Sequence, residues 1–199
     1  MASLKRLSAK ELNQMSSKLL DSNKTALVLI DFQEKLIQGV NNKDKVLFNI
    51  NRLIDIFKII DLEIFITEQN PDKLGKTVSE VLGVDKFRKY SKMGFSCTQS
   101  DELIRELKEN KIINLLLCGV ETHVCIFQSA IMLNSKGINV HVVADASGSR
   151  KEFDHNIAIE RLRSLGITIT STEMAIFEMC KTANHKEFKR ISAVIKREI

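Results

Sequence analysis

Cys125 has the best address for chemistry in the chain. It follows an apolar run, Ile112 to Cys118, that meets Gly119, turns over a few residues and re-emerges with helical spacing toward Ala130. In open parallel sheets, such strand-to-helix corners at the carboxyl ends of strands are where ligands bind. Thr122 has the side chain of an N-cap, able to accept an orphan N–H of the first turn. That placement puts Cys125 within the first turn, where free N–H groups and the helix dipole favour an anion. A thiol there is expected to have a lowered pKa and more of the nucleophilic thiolate. Free cysteines are more often small buried hydrophobes, so the assignment depends on partners.

Attack on a carbonyl needs a base or cation beside the thiol and two donors for the oxyanion. Two acids close apolar strands, Asp31 after Ala26–Ile30 and Asp145 after Ile138–Ala144, and either could be the base. The N–H of Cys125 and that of a turn residue before it could be the donors. Other chemistries have less footing. The first strand is followed by no G-x-G-x-x-G, and neither a Walker sequence nor a G-x-S-x-G elbow occurs. The histidines (His123, His141, His155, His185) show no metal-binding spacing, and His141, inside a strand, reads as a packed or surface residue. The cysteines (Cys97, Cys118, Cys125, Cys180) form no C-x-x-C pair.

The elements that must hold these residues alternate. Runs over Thr25–Asp31, Leu62–Thr67, Ile112–Cys118, Ile138–Ala144 and Ile167–Thr170 read as strands, several of them apolar on both faces as central parallel strands are. Lys86 to Cys97 mixes basic and aromatic residues, which fits a lysine-protected edge strand or a nucleic-acid-contacting surface. Helical periods cover Lys43–Ile60, the stretch after Ser100, Phe153–Leu165 with Gly166 as its stop, Thr172–Met179 and His185–Ile199. Glu68 to Gly75 reads as a polar loop around Pro71. Six strands alternating with helices predict a three-layer α/β/α sandwich, Rossmann-like, with a six-stranded, mainly parallel sheet. Residues 1–21 form an N-terminal extension. Ser8 and Glu11 make a capping box and Leu12, Met15 and Leu19 share a face, so a docked amphipathic helix is expected, with a mitochondrial presequence as the alternative.

A chain of 199 residues with 44% apolar content suits one core, and a single proline argues against linkers. The net charge of +5 is spread along the chain, so nucleic-acid binding is permitted but not favoured. No apolar run approaches a membrane span and no secretory signal is visible, so an intracellular protein with reduced thiols is expected, cytoplasmic or else mitochondrial.

Several separated motifs resemble the isochorismatase-like cysteine hydrolases, closest to the isochorismatase domain-containing proteins of eukaryotes. They are Val28 to Gln33, Thr67 to Pro71 with Leu74 to Thr77, Lys92 to Cys97, Cys118 to Cys125, Val142 to Ala146 and His185 to Lys189. In order, they span roughly residues 22–199, the expected domain. The resemblance implies the isochorismatase-like hydrolase fold and a triad of Asp31, Lys92 and Cys125. Asp31 would take the thiol proton, Lys92 would hold the two charges in place, and Cys125 would form a thioester. It implies a cis peptide before Glu121, with the N–H groups of Glu121 and Cys125 as oxyanion hole, and Phe32, Gln33, Gln69, Phe95 and Thr122 as substrate-pocket candidates. Zinc-binding members carry Asp and His near Glu68 to Asn70; here Glu68 and Asn70 stand without a histidine, so no metal and no cofactor are expected. Members that cleave a vinyl ether need no thiol, so Cys125 points to amide or ureido substrates. The implied partners are a small-molecule substrate and further copies of the chain in a homo-oligomer.

Overall fold

The computed structural model describes residues 19–199. The expected N-terminal helix lies outside them, except for exposed Leu19 and buried Leu20. Six parallel strands form one sheet in the order β3-β2-β1-β4-β5-β6. They are β1 (Thr25–Ile30), β2 (Ile64–Gln69), β3 (Lys89–Lys92), β4 (Asn114–Val120), β5 (Asn139–Gly148) and β6 (Thr168–Thr170). The order reverses between β1 and β4, which makes their carboxyl ends the topological switch point. Every residue of β1, β2 and β4 is buried, as expected for strands covered on both faces. In β3 the pattern alternates exposed and buried, so this edge strand buries Tyr90 and Lys92 and turns Lys89 and Ser91 to solvent.

The helices are α1 (Glu34–Ile37), α2 (Lys43–Ile59), α3 (Pro71–Leu74), α4 (Asp101–Glu109), α5 (Phe127–Ser135), α6 (Glu152–Ser164), α7 (Thr172–Cys180) and α8 (Phe188–Ile195). One face of the sheet packs Leu27, Leu29 and Leu116 against Ile50, Leu53, Phe57, Ile176 and Ile191 from α2, α7 and α8. The other packs Val28, Leu115 and Leu117 against Leu103, Ala130 and Leu162 from α4, α5 and α6. These two apolar layers on one parallel sheet form the three-layer sandwich expected from the pattern.

The strand boundaries differ in a consistent direction. β2 runs on through Glu68 and Gln69, β4 starts at Asn114 and ends at Val120, and β5 continues past Asp145 to Gly148. Polar residues at the carboxyl ends lower the apolar signal there, but they are still hydrogen-bonded into the sheet. The terminal helix is shorter than His185–Ile199 and covers Phe188–Ile195. None of the described helices is long and apolar enough to cross a membrane.

Candidate active site

Asp31 follows β1 directly and is fully buried. Its backbone adopts φ 49°, a left-handed conformation that aspartate tolerates better than most residues. Its N–H still pairs with Thr67 O at 3.1 Å, so the turn starts while the sheet holds it. Oδ1 accepts from Thr67 Oγ1 at 2.7 Å and Oδ2 from Lys92 Nζ at 2.6 Å. Lys92 ends β3, two strands away, and the β2–β3 register that pairs Gln69 with Lys92 brings it level with Asp31. Its ammonium also donates to Gln69 Oε1 at 3.0 Å and to Phe95 O at 3.1 Å. A buried ion pair survives desolvation when its remaining protons and lone pairs are met, and here Thr67, Gln69 and Phe95 meet them.

The thiol reaches this pair over Gly119. A Cβ added there would lie 2.1 Å from Ile30 O, and its φ of +116° favours glycine, so β4 can close on β1 only with glycine at this point. The Val120–Glu121 peptide that follows is cis. Thr122 to Ile126 then form a π-helical turn leading into α5. Val124 and Ile126 N–H both donate to Glu121 O, at 3.1 and 3.3 Å, while the N–H of Glu121 itself finds no acceptor among the described residues.

Two expectations about this corner are overturned. Thr122 does not cap the helix: Glu121 occupies the cap position without a side-chain bond, and Thr122 Oγ1 pairs with His155 Nδ1 at 2.9 Å instead. The Cys125 thiol is raised above its ordinary pKa, not lowered. Burial is the main cause; the Asp31 charge and its acceptance of the thiol proton act in the same direction, and Lys92 opposes them. A helix-start argument counts only the backbone, and here a buried carboxylate faces the sulfur.

Asp145 is not part of this cluster. It lies within β5, and its Oδ1 accepts from Thr172 N–H and Oγ1 at 2.7 and 2.9 Å, tying down the start of α7. Phe32 and Gln33, proposed as pocket residues, are fully buried structural groups: Phe32 packs in the α2-side core, and Gln33 Nε2 donates to Gln69 O and Gly75 O. Gln69 supports Lys92, and Phe95 is 51% exposed beside it. Glu68 is occupied by Thr77, whose N–H and Oγ1 both donate to Oε1 at 2.8 Å.

Several residues at the site are given no role from the sequence. Thr67 ends an apolar run and reads as strand. Ser129 stands one turn after Cys125 and accepts from Cys97 N–H at 2.9 Å. The Cys97 thiol is pushed up to about 11 by burial, with Ser129 and Lys92 opposing, so a second protonated thiol flanks the pair.

An α/β domain with a buried carboxylate, ammonium and thiol gathered at the switch point of a parallel sheet defines the class. Within that class, the Isochorismatase domain family model matches residues 25–174, and the chain belongs to that family of hydrolases. It is 35% identical over 177 residues to isochorismatase domain-containing protein 2 of Xenopus laevis, covering 88% of this chain and 85% of that one. The secreted isochorismatase effector Isc1 of Phytophthora sojae is 34% identical over 185 residues, covering 88% and 86%. Among solved structures, MAR1 ribonuclease from Caenorhabditis elegans superposes with TM-score 0.85 at 30% identity, covering 90% of this chain and 93% of that one.

Proposed function

We propose that the chain is a metal-independent cysteine hydrolase of a small amide- or ureido-like substrate, acting through a thioester on Cys125. One observation carries this reading: the buried Asp31–Lys92 pair, 2.6 Å apart, whose carboxylate acts on the Cys125 thiol. At rest the thiol keeps its proton. As sulfur attacks the carbonyl carbon, Asp31 accepts that proton, and the N–H groups of Glu121 and Cys125 receive the oxyanion. Asp31 returns the proton to the departing nitrogen, the C–N bond breaks and the thioester remains. Water, deprotonated by Asp31, then releases the acid and restores the thiol. Lys92 stays charged throughout and keeps a carboxylate stable in a site without bulk water. The chain thus supplies both proton transfers, and the carboxylate nearest the zinc-binding position of relatives, Glu68, is bound to Thr77.

The test is a panel of small amides and ureido compounds turned over by wild type and by Cys125→Ala, with intact-mass detection of an acyl adduct. The expected result is turnover that falls about a thousandfold or more without the thiol, with the adduct on Cys125. Equal background rates for both proteins across the panel would instead favour a binding protein of the same fold.

A second reading comes from the relative described as a ribonuclease. Exposed Lys86, Arg88 and Lys89 line the β3 edge, but Arg88 is paired with Glu102 and Glu106, which lowers the positive potential there. RNA binding that weakens steeply with salt would support this reading, and undetectable affinity at low salt would remove it.

A further inference from the structure

Three consecutive residues of the cysteine corner reach back to one connection, the segment 149–155 between β5 and the first turns of α6. Glu121 Oε1 accepts from the N–H and Nε of Arg150 at 3.1 and 2.9 Å. Thr122 Oγ1 and His155 Nδ1 are 2.9 Å apart, and His123 Nδ1 and Ser149 Oγ are 3.0 Å apart.

The three bonds differ in what they can hold. The Arg150 side chain is 66% exposed, so water screens its pair with Glu121. His123 and Ser149 join the corner to a loop. Thr122 is fully buried and directly follows Glu121, and His155 stands on a 13-residue helix whose Ala158, Ile159 and Leu162 are packed into the core. A part-buried hydrogen bond between a fully buried hydroxyl and a ring carried on a packed helix restricts position more than one to an exposed arm. The corner also lacks the usual restraint. Its π turn gathers two N–H groups on Glu121 O, and Phe127 N–H is shared between Thr122 O and Val124 O, so no regular i−4 ladder sets the aim of the N–H groups around Cys125.

We infer that the Thr122–His155 hydrogen bond is a positioning device for the oxyanion site, holding the Glu121 and Cys125 N–H groups on the point where negative charge develops. The inference rests on Cys125 being the nucleophile. Both act through the backbone that runs from Glu121 to Cys125.

Two reagents separate positioning from general support. p-Nitrophenyl acetate acylates a thiol through a tetrahedral oxyanion: the S–C bond forms, p-nitrophenol leaves with the proton, and acetyl stays on Cys125. Iodoacetamide alkylates the same thiol by displacing iodide at carbon, with no oxyanion. In Thr122→Val and His155→Phe the acylation rate is expected to fall about tenfold to a hundredfold, less than the roughly hundredfold to thousandfold for losing an oxyanion donor outright, because the donors remain and only their aim is relaxed. Iodoacetamide labelling of Cys125 should stay within about twofold of wild type, since the thiol and its ion pair are unchanged. Thr122→Ser and His155→Asn, which keep a hydrogen-bonding atom at each position, should recover most of the acylation rate. Parallel loss of both reactions in all four variants, or acylation unchanged in Thr122→Val, overturns the positioning role alone. A wild-type protein that p-nitrophenyl acetate does not acylate on Cys125 overturns the nucleophile with it.

Discussion

The carboxyl edge of the sheet divides into two corners, each with a strand acid. Above β1, β3 and β4, Asp31 is fully buried, accepts a hydrogen bond from the Thr67 hydroxyl, pairs with the Lys92 ammonium and faces a thiol. Above β5 and β6, Asp145 is partly open, borders a cavity of about 200 Å³ and spends Oδ1 on the backbone and hydroxyl of Thr172. The first carboxylate has a titratable partner on each side, and the second has only neutral donors. Proton transfer needs a group that can release what the carboxylate takes, so the partners rather than the acids separate a reactive corner from a structural one.

Exchanging each acid for its amide gives the largest contrast. Asp31→Asn should lower turnover of whichever amide the wild type cleaves by about a thousandfold, because no base remains for the thiol proton. Asp145→Asn should leave turnover within about threefold, since it touches neither sulfur nor ammonium. The same Asp31→Asn protein should be alkylated faster than wild type at neutral pH. Removing the carboxylate deletes one cause that raises the thiol pKa and leaves Lys92, which lowers it. Slower alkylation together with lost turnover would mean that Asp31 supports the local fold instead of holding the proton.

This contrast also marks what the sequence could convey. The alternation of buried strands and helices was plain because burial on both faces writes itself as apolar runs, as in Leu115 to Cys118. Asp31 and Asp145 looked equivalent because each closes such a run, and spacing along the chain contains nothing about β3 arriving two strands away. Lys92 in isolation reads as one more lysine of a basic edge; only its resemblance to a family motif singled it out. The raised thiol pKa was illegible for the same reason, since the backbone argument for a thiolate was local and the carboxylate that reverses it is distant in sequence. Thr122 failed as a cap because its partner, His155, is 33 residues further on.

Stability gives the next contrast, between the buried ionisable groups of the two halves. Lys92→Met leaves the Asp31 carboxylate buried with only neutral partners, Thr67 and the Cys125 thiol, and should cost about 3–5 kcal/mol, the range for breaking one side of a buried pair. Urea unfolding at pH 7 reads it directly, and a change below about 1 kcal/mol would show that water reaches Asp31 freely. In the other half, His141 on β5 is buried and its Nδ1 has no partner among the described residues. Burial lowers its pKa from 6.5 to about 4. Below pH 6.5 the unfolded chain takes up a proton that the folded chain refuses, so this contribution is intact above that pH and is lost as pH falls toward 4. The full loss is roughly 3 kcal/mol. His141→Leu should flatten that part of the stability profile between pH 7 and pH 4.5, while an unchanged slope would assign it to other groups.

The smallest effect tests whether Asp145 is only a fastener. Its carboxylate accepts from Thr172 at the first position of α7, just after Ser171, whose own hydroxyl receives Met174 N–H. Two capping groups therefore share one helix start, and removing either leaves the other in place. Asp145→Ala should cost about 1 kcal/mol, near the middle of the range for an N-terminal cap. Thr172→Val, which keeps the backbone donor and loses the hydroxyl, should cost less. If the two changes are made together, the loss should fall short of the sum, because both remove the same Thr172 Oγ1–Asp145 bond. Additive losses would place a separate load on Asp145, and the cavity it borders would then be the place to look for it.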